Sequence, residues 1–556
     1  MKKTLPIGKQ DFRIIREKNN YYVDKTLLIQ EFLERDAAVT LVTRPRRFGK
    51  TLGMSMLAEF LDITKDAGDI FEGTRIMETV YAQRINKAPV IFISFKDCKG
   101  SSSTFLISLL YDSLKSLLDE YTEIIRDKKV SDTVRYDLKR IYQELKERGD
   151  DLALISNCLY KLSKALYEYY GIRPYILIDE YDTPFIEAHV NGYYAKVHDV
   201  LATLLRTALK DNEYLNASML TGIQRVAKEN IFSDLNNLLV CTVKDPEYAD
   251  CFGFTNTEAG VLLNYYGLEL DEHVKEMYDG YRFGGVEIYN PWSVINYANR
   301  KCLESFWVNT SSNTMVKKAI SSADQSFLGS YETLMESGEV SVVADIQTSF
   351  YEEKSSASLW GLLINAGYVT IQNVIRNNKY VLRIPNGEVR ESFKALTAHY
   401  LHVGSNQLEV LATALMEKDI ETFEQIYREI LLSLPSYHDL TKRDRESSYH
   451  MMMLGMCVYL SDIYEIKSNR ESGKGRSDIL MISRRKENPH IIMEFKYTDR
   501  TNHNLEALAK EAIAQIENLQ YAHGLNGEII YIGLAHYQKE AKVEYRIVSQ
   551  GIFSRA

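Results

Sequence analysis

Arg44-Pro45-Arg46-Arg47-Phe48-Gly49-Lys50-Thr51 follows directly on the apolar run Ala37-Ala38-Val39-Thr40-Leu41-Val42, and a helical pattern (Met54, Met56, Leu57, Phe60, Leu61) follows it in turn. A buried strand, a short loop ending Gly-Lys-Thr and then a helix is the construction of a phosphate cradle. The loop wraps backbone N–H groups around a polyphosphate and aims a helix N-terminus at it. On this reading Arg46, Arg47, Gly49, Lys50 and Thr51 contact the nucleotide. Lys50 neutralises the β and γ phosphates, and the Thr51 hydroxyl sits on Mg²⁺. The full pattern has glycine five positions before the Gly-Lys pair, where this chain has Arg44. Gly-Lys-Thr alone recurs by chance, so its weight comes from the flanking strand and helix.

A second motif strengthens the reading. Pro174-Tyr175-Ile176-Leu177-Ile178-Asp179-Glu180 is an apolar strand that ends in two adjacent carboxylates. Asp179 is expected to hold Mg²⁺ opposite Thr51, and Glu180 to orient or deprotonate the attacking water. The plainer alternative is a buried strand reaching solvent at an acidic pair. A third strand-like run, Leu215 to Leu220, ends in Thr221-Gly222-Ile223-Gln224-Arg225. A polar group at that tip could sense the γ-phosphate and Arg225 could contact it, although a simple strand end and turn fits equally well. The Asp-Glu pair with a sensor points to the additional-strand class of P-loop ATPases rather than to kinases or GTPases.

With 556 residues the chain exceeds one core and implies about three domains. Apolar content of 45% and charged content of 26% are those of an ordinary globular protein. The start, Met1-Lys2-Lys3-Thr4-Leu5-Pro6, leads into no apolar stretch, and the longest apolar run, Met451 to Leu460, is too short to cross a bilayer. A cytoplasmic protein without a membrane partner is therefore expected. The six cysteines (Cys98, Cys158, Cys241, Cys251, Cys302, Cys457) form no Cys-x-x-Cys pair, and the eleven histidines show no metal spacing. They read as buried thiols in a reducing compartment, so any metal site should be built from carboxylates. Net charge is −9, which argues against a nonspecific nucleic-acid coat. From Thr441 to Ala556, 17 Lys and Arg stand against 15 Asp and Glu, so this segment is about +2 and permits nucleic acid without demanding it.

Residues 1–250 alternate strands (Val39–Thr43, Val90–Phe95, Tyr175–Asp179, Ala217–Gly222, Leu238–Val243) with helical patterns, implying an α/β core with a mostly parallel sheet and helices on both faces. The stripe Leu106, Leu109, Leu110, Leu114, Leu117 and Leu118 is a packing surface. Thr255-Asn256-Thr257-Glu258 is a capping box, and with the helix after Tyr289-Asn290-Pro291-Trp292 it suggests a helical lid over 251–320. Within 321–440, an apolar helix precedes the strand-like runs Tyr368–Ile375 and Lys379–Ile384. Helix then hairpin suits a winged-helix module that binds DNA or packs domains together, packing being favoured.

The segment 441–556 carries a different constellation. Ser477-Asp478-Ile479-Leu480-Met481-Ile482 and His490-Ile491-Ile492-Met493-Glu494-Phe495-Lys496 flank the turn signal Lys486-Glu487-Asn488-Pro489. In a hairpin centred near 486, Asp478 lies opposite Glu494, and the side-chain period of two puts Glu494 and Lys496 on one face. Two carboxylates and a lysine then converge, as metal-dependent phosphodiester hydrolysis requires. Asp478 and Glu494 would hold Mg²⁺ with the Phe495 carbonyl as a further ligand, and Lys496 would position water or stabilise developing charge. Glu446, before a helix expected over 447–460, could complete the metal shell. Gln515, on a helix expected over 505–521, could touch the substrate backbone. The element order helix, strand, strand, strand, helix, strand supports this over an exposed hairpin ion pair.

The chain resembles a bacterial and archaeal family that joins an N-terminal AAA-ATPase-like domain to a C-terminal PD-(D/E)XK nuclease-superfamily domain. The resemblance covers nearly the whole length. It rests on Tyr22-Val23-Asp24-Lys25-Thr26, the Arg44–Thr51 loop, Asp179-Glu180-Tyr181-Asp182, Tyr289-Asn290-Pro291-Trp292-Ser293, Ser468-Asn469-Arg470-Glu471-Ser472-Gly473 and Glu494-Phe495-Lys496. It implies a restriction-endonuclease-like α/β fold at the C-terminus, metal ligands at Asp478, Glu494 and Glu446, and the lysine role at Lys496. In this family the first loop glycine is commonly replaced. The expected protein is thus an ATP- and Mg²⁺-dependent hydrolase coupled to a Mg²⁺-dependent nuclease, with DNA favoured over RNA and an oligomer permitted, acting on invading or mobile DNA. The rival is a nucleotide-switched module whose nuclease fold grips nucleic acid or protein without cutting.

Overall fold

The computed structural model describes residues 2–226, 238–307, 313–321, 323–347, 354–400, 404–433, 458–460, 463–472, 475–500 and 504–550. The chain divides into two compact units. The first comprises residues 1–316, 342–380 and 385–389; the second comprises 317–341, 381–384 and 390–556.

In the first unit, strands β1 (Val39–Thr43), β2 (Val90–Ser94), β3 (Tyr175–Asp179), β4 (Ser218–Gly222) and β5 (Leu238–Cys241) form one sheet in the order β2-β3-β4-β1-β5. Every pairing is parallel. All five residues of β1, β3 and β4 are buried, as in parallel sheets covered on both faces, which is why their sequences are continuous apolar runs. The extra strand β4 sits between the phosphate-loop strand β1 and the acidic strand β3, in the additional-strand arrangement. The leucine stripe of the helix Ser103–Glu120 lies in the core with the helices Asp132–Glu147, Cys158–Tyr170 and Tyr194–Leu209. Leu109 alone among the stripe leucines is only partly covered.

Beyond β5, the strands β6 (Phe254–Thr255), β7 (Tyr281–Phe283) and β8 (Val286–Tyr289) form a small antiparallel sheet among three helices. The capping box forms as its sequence requires: Thr255 Oγ1 accepts from Glu258 N and the Glu258 carboxylate accepts from Thr255 N. Asn290 caps the helix Pro291–Arg300 by accepting from the N–H groups of Trp292 and Ser293. Further along come β9 (Glu339–Val343), the apolar helix Ser356–Ala366, and the neighbouring strands β10 (Thr370–Arg376) and β11 (Lys379–Arg383), so the expected helix and hairpin are present.

The second unit is built on β12 (Tyr464–Ser472), β13 (Gly475–Ser483), β14 (His490–Tyr497), β15 (Gly527–Tyr537) and β16 (Glu540–Gln550), in that order across the sheet. All pairings are antiparallel except β14–β15. A parallel pair needs a crossover, which the helix Leu505–Asn518 supplies. That helix lies so close to the sheet that a Cβ on Gly533 would fall 2.1 Å from the Ala509 carbonyl oxygen. The last strand was not anticipated. Of the helix expected over 447–460, residues 447–457 lie outside the described residues, and 458–460 form a 3₁₀ turn.

Candidate active sites

β1 delivers the chain into the phosphate loop, and Gly49 turns it into the helix Lys50–Leu61. Gly49 has φ of 88°, a left-handed conformation that glycine adopts without a Cβ clash. Arg47 is also left-handed, at 68°, and its guanidinium lies over the Trp292 ring at 4.1 Å. Burial holds the Arg47 guanidinium below its usual range, against the pull of the Glu388 carboxylate.

Arg44, the departure from the glycine pattern, points away from the cradle. Its side chain is fully buried and donates to four carbonyls: Thr43 at 2.9 Å, Cys241 at 3.1 Å, Glu247 at 3.0 Å and Tyr248 at 3.0 Å. Burial lowers its pKa to about 10, so it remains a cation at neutral pH. The arginine therefore pins the loop to the segment after β5 instead of obstructing phosphate.

Lys50 is buried and donates to the carbonyls of Arg44 (3.0 Å) and Pro45 (2.9 Å). Burial lowers its pKa, opposed first by the charge of Glu180 and then by that of Asp179. Thr51 Oγ1 donates to Asp179 Oδ2 at 2.8 Å, so the two expected magnesium-binding groups meet. Asp179 also accepts from Thr221 Oγ1 at 2.7 Å and Ser94 Oγ at 3.3 Å. Burial raises its pKa while the Thr221 and Thr51 bonds lower it. Glu180 has φ of 51° and its Oε2 accepts from Thr183 Oγ1 at 3.1 Å. Arg225 donates to Gln347 Oε1 at 3.1 Å, so its described partner is not a loop residue.

An open cleft of about 600 Å³ lies over the loop, lined by Lys9, Arg46, Arg47, Gly49, Lys50, Thr51, Lys99 and Glu180 among others. Five of its lining residues are basic and one is acidic, a charge pattern that attracts a polyanion. The motif Tyr22–Thr26 plays a structural part. Asp24 Oδ1 accepts from Thr26 N and Oγ1, Asp24 Oδ2 accepts from Arg75 N, and Lys25 pairs with Glu258 at 2.6 Å.

In the second unit the hairpin register pairs Ile479 with Met493, Leu480 with Ile492 and Met481 with Ile491. Continued by one step, it sets Asp478 opposite Glu494, and Asp478 Oδ2 accepts from Phe495 N at 2.7 Å. Lys496 Nζ lies 3.8 Å from Glu494 Oε1. Gln515, expected to face substrate, instead bridges the two. Its Oε1 accepts from Lys496 Nζ, while its Nε2 donates to Glu494 Oε1 and contacts Tyr521 OH at 3.2 Å. Glu494 is buried, and burial together with the charge of Asp478 raises its pKa to about 7. Its Oε2 is buried and finds no hydrogen-bond partner among the described residues. A buried carboxylate oxygen left in this way fits a cation ligand. Glu446 lies outside the described residues, and among those described no group of three or more His, Cys, Asp and Glu gathers. Tyr521, Ser94 and Thr221 were not singled out from sequence as contacts of these carboxylates; only the position of Thr221 at a strand tip carried a signal.

Residues 6–232 match the family model described as predicted AAA-ATPase, and residues 444–545 match that of the PD-(D/E)XK nuclease superfamily. The chain joins an AAA-ATPase-like domain to a PD-(D/E)XK nuclease-superfamily domain. An uncharacterized protein in the vnfD 5′ region of Azotobacter chroococcum mcd 1 is 26% identical over 575 residues, spanning 97% of this chain and 98% of that one. The AAA-ATPase-like match contains the loop, Asp179, Glu180 and Arg225, and the nuclease-superfamily match contains Glu446, Asp478, Glu494, Lys496 and Gln515. Among the described residues no helix is long and apolar enough to cross a membrane.

Proposed function

We propose that the N-terminal core, residues 1–250, binds and hydrolyses ATP, and that the segment 441–556 is a metal-dependent nuclease acting on DNA, foreign or mobile DNA in particular. The observation that carries the first half is the cation-lined cleft, one of whose lining residues, Thr51, is bonded to the buried Asp179. Lys50 exchanges its loop carbonyls for the β and γ phosphates, and Arg46 and Arg47 hold the remaining negative charge. Thr51 and Asp179 are the groups that would hold Mg²⁺, which when bound screens the phosphate charge. Glu180 orients and deprotonates the attacking water.

The second half is supported by the convergence of Asp478, Glu494 and Lys496, with a buried Glu494 oxygen that has no hydrogen-bond partner among the described residues. Asp478 and Glu494 would hold the divalent ion, which when bound lowers the pKa of attacking water, and Glu446 would complete the shell. Lys496 sits where it can stabilise the charge that develops on the scissile phosphate. The decisive experiment incubates purified protein with plasmid, single-stranded DNA and RNA, in Mg²⁺ or Mn²⁺, with and without ATP. Cleavage that requires the ion and is lost on Glu494→Ala supports the nuclease. ATP turnover without cleavage of any polymer would favour the rival, a nucleotide-switched binding module.

A further inference from the structure

Glu180 holds a backbone conformation that disfavours any residue with a Cβ, at φ of 51°. Such a conformation persists only where the surroundings fix it from both sides. On one side Asp179 is tied to Thr51, Thr221 and Ser94. On the other, Tyr181 and Asp182 are tied to the turn that follows β4. Tyr181 N donates to Thr221 O at 3.0 Å, and Tyr181 OH donates to Gln224 O and accepts from Val226 N, both at 2.9 Å. Asp182 Oδ2 accepts from Ile223 N at 2.8 Å and Gln224 N at 2.9 Å. Both side chains are buried. Asp182 precedes the helix Thr183–Val190 but does not cap it with its side chain, and the described hydrogen bonds of its carboxylate go to the turn. The turn is moulded to this pair, since a Cβ on Gly222 would lie 2.7 Å from Asp182 Oδ1 and 2.8 Å from Tyr181 Cε1.

We propose that Tyr181 and Asp182 are positioning residues that clamp the β4 turn to β3 and thereby hold the left-handed Glu180 with its carboxylate in the cleft. This rests on the ATPase reading. The described bonds of the clamp run to β4 and its turn and not to the phosphate loop after β1; the Asp182 charge acts on Lys50, and Tyr181→Phe leaves that charge in place. Loss of the clamp should therefore slow hydrolysis without weakening nucleotide binding.

The test measures ATP turnover and ATP affinity in the full chain for Tyr181→Phe, Asp182→Ala and Asp182→Asn, each also combined with Glu180→Gln. Tyr181→Phe keeps the buried ring and removes only the hydroxyl, so it remains informative where Asp182→Ala fails to fold. The expected result is a kcat lower by ~10-fold or more for Tyr181→Phe and Asp182→Ala, with KM and Kd within ~3-fold of wild type. Asp182→Asn, whose amide oxygen can accept the same two N–H groups, should recover most of the rate. In the Glu180→Gln background the clamp variants should cost nothing further, because they act through Glu180. Unchanged kcat in folded Tyr181→Phe, or an equal further loss in the Glu180→Gln background, overturns the clamp alone. Absence of turnover in the wild type overturns the ATPase reading, and the clamp with it.

Discussion

Replacing Arg44 by glycine would restore the residue that the full phosphate-loop pattern carries, and the structure requires that this restoration be damaging. The Arg44 guanidinium is the donor for four buried or half-buried carbonyls, those of Thr43, Cys241, Glu247 and Tyr248. Leaving a buried acceptor without its donor costs about 1–3 kcal/mol. At the low end of that range, Arg44→Gly destabilises the first unit by roughly 4 kcal/mol. Conformational freedom gained by glycine in the unfolded chain adds to the loss. All three tryptophans, Trp292, Trp307 and Trp360, belong to the first unit, so urea unfolding followed by tryptophan fluorescence reads that unit selectively. With an m-value of about 4 kcal/mol/M for a unit of this size, the midpoint should fall by about 1 M. Arg44→Lys, with fewer and less spread donors, should fall between. A glycine variant with an unchanged midpoint, or one that binds ATP more tightly than wild type, would refute the reading of Arg44 as the pin between the loop and the segment after β5.

Lys50→Ala should abolish ATP binding in calorimetry, because it removes the cation at the helix start; normal affinity would sink the phosphate-loop assignment. Glu180→Gln should still bind ATP but turn it over at least ~10²-fold more slowly. Asp478→Ala, Glu494→Ala and Lys496→Ala should each abolish metal-dependent strand cleavage, with metal affinity lost in the two acid variants and kept in the lysine variant; three variants that still cut would place the active site elsewhere. Glu388 is buried and its pKa is raised from 4.5 to about 7, chiefly by burial. Between those values the folded state holds a proton that the unfolded state has released, so the contribution of Glu388 to stability falls as pH rises from 4.5 to about 7, by up to roughly 3 kcal/mol, and is flat above. Glu388→Gln keeps an acceptor for Ser293 Oγ and Trp307 N and should remove that slope in urea unfolding; an unchanged slope would show that Glu388 does not produce it.

The parallel core was legible because each of its strands is a short apolar run closed by turn or acidic residues, a pattern that survives without any knowledge of partners. The hairpin register was legible too, since a turn at 486 and a period of two leave few alternatives for Asp478 and Glu494. The side chains that hold the sites were harder. Arg44 read as a defect in a motif because its four acceptors come from residues 43 and 241–248, and only the fold brings those together. Gln515 read as a substrate contact because its helix position gave no hint that Glu494 and Lys496 lie within its reach. The strand β16 had a usable signal, with Ala541 and Val543 inward between charged neighbours. Tyr545 and Ile547, exposed in the same phase, blur that alternation at the sheet edge.

The position of β1 between β4 and β5 sets a timetable for synthesis. Val39 pairs with Ser218 on one side and Leu238 on the other, so the strand that leads into the phosphate loop has no sheet neighbour when it leaves the ribosome. Roughly 200 further residues must emerge, which takes about 10–40 s at ordinary elongation rates. Three of the four acceptors of Arg44, from Cys241 to Tyr248, arrive last. A nascent chain shorter than this exposes an apolar strand with two open edges, a template for mispairing that a chaperone would have to cover. A ligand of the loop cannot rescue that interval, because the loop is among the last parts of the core to be assembled.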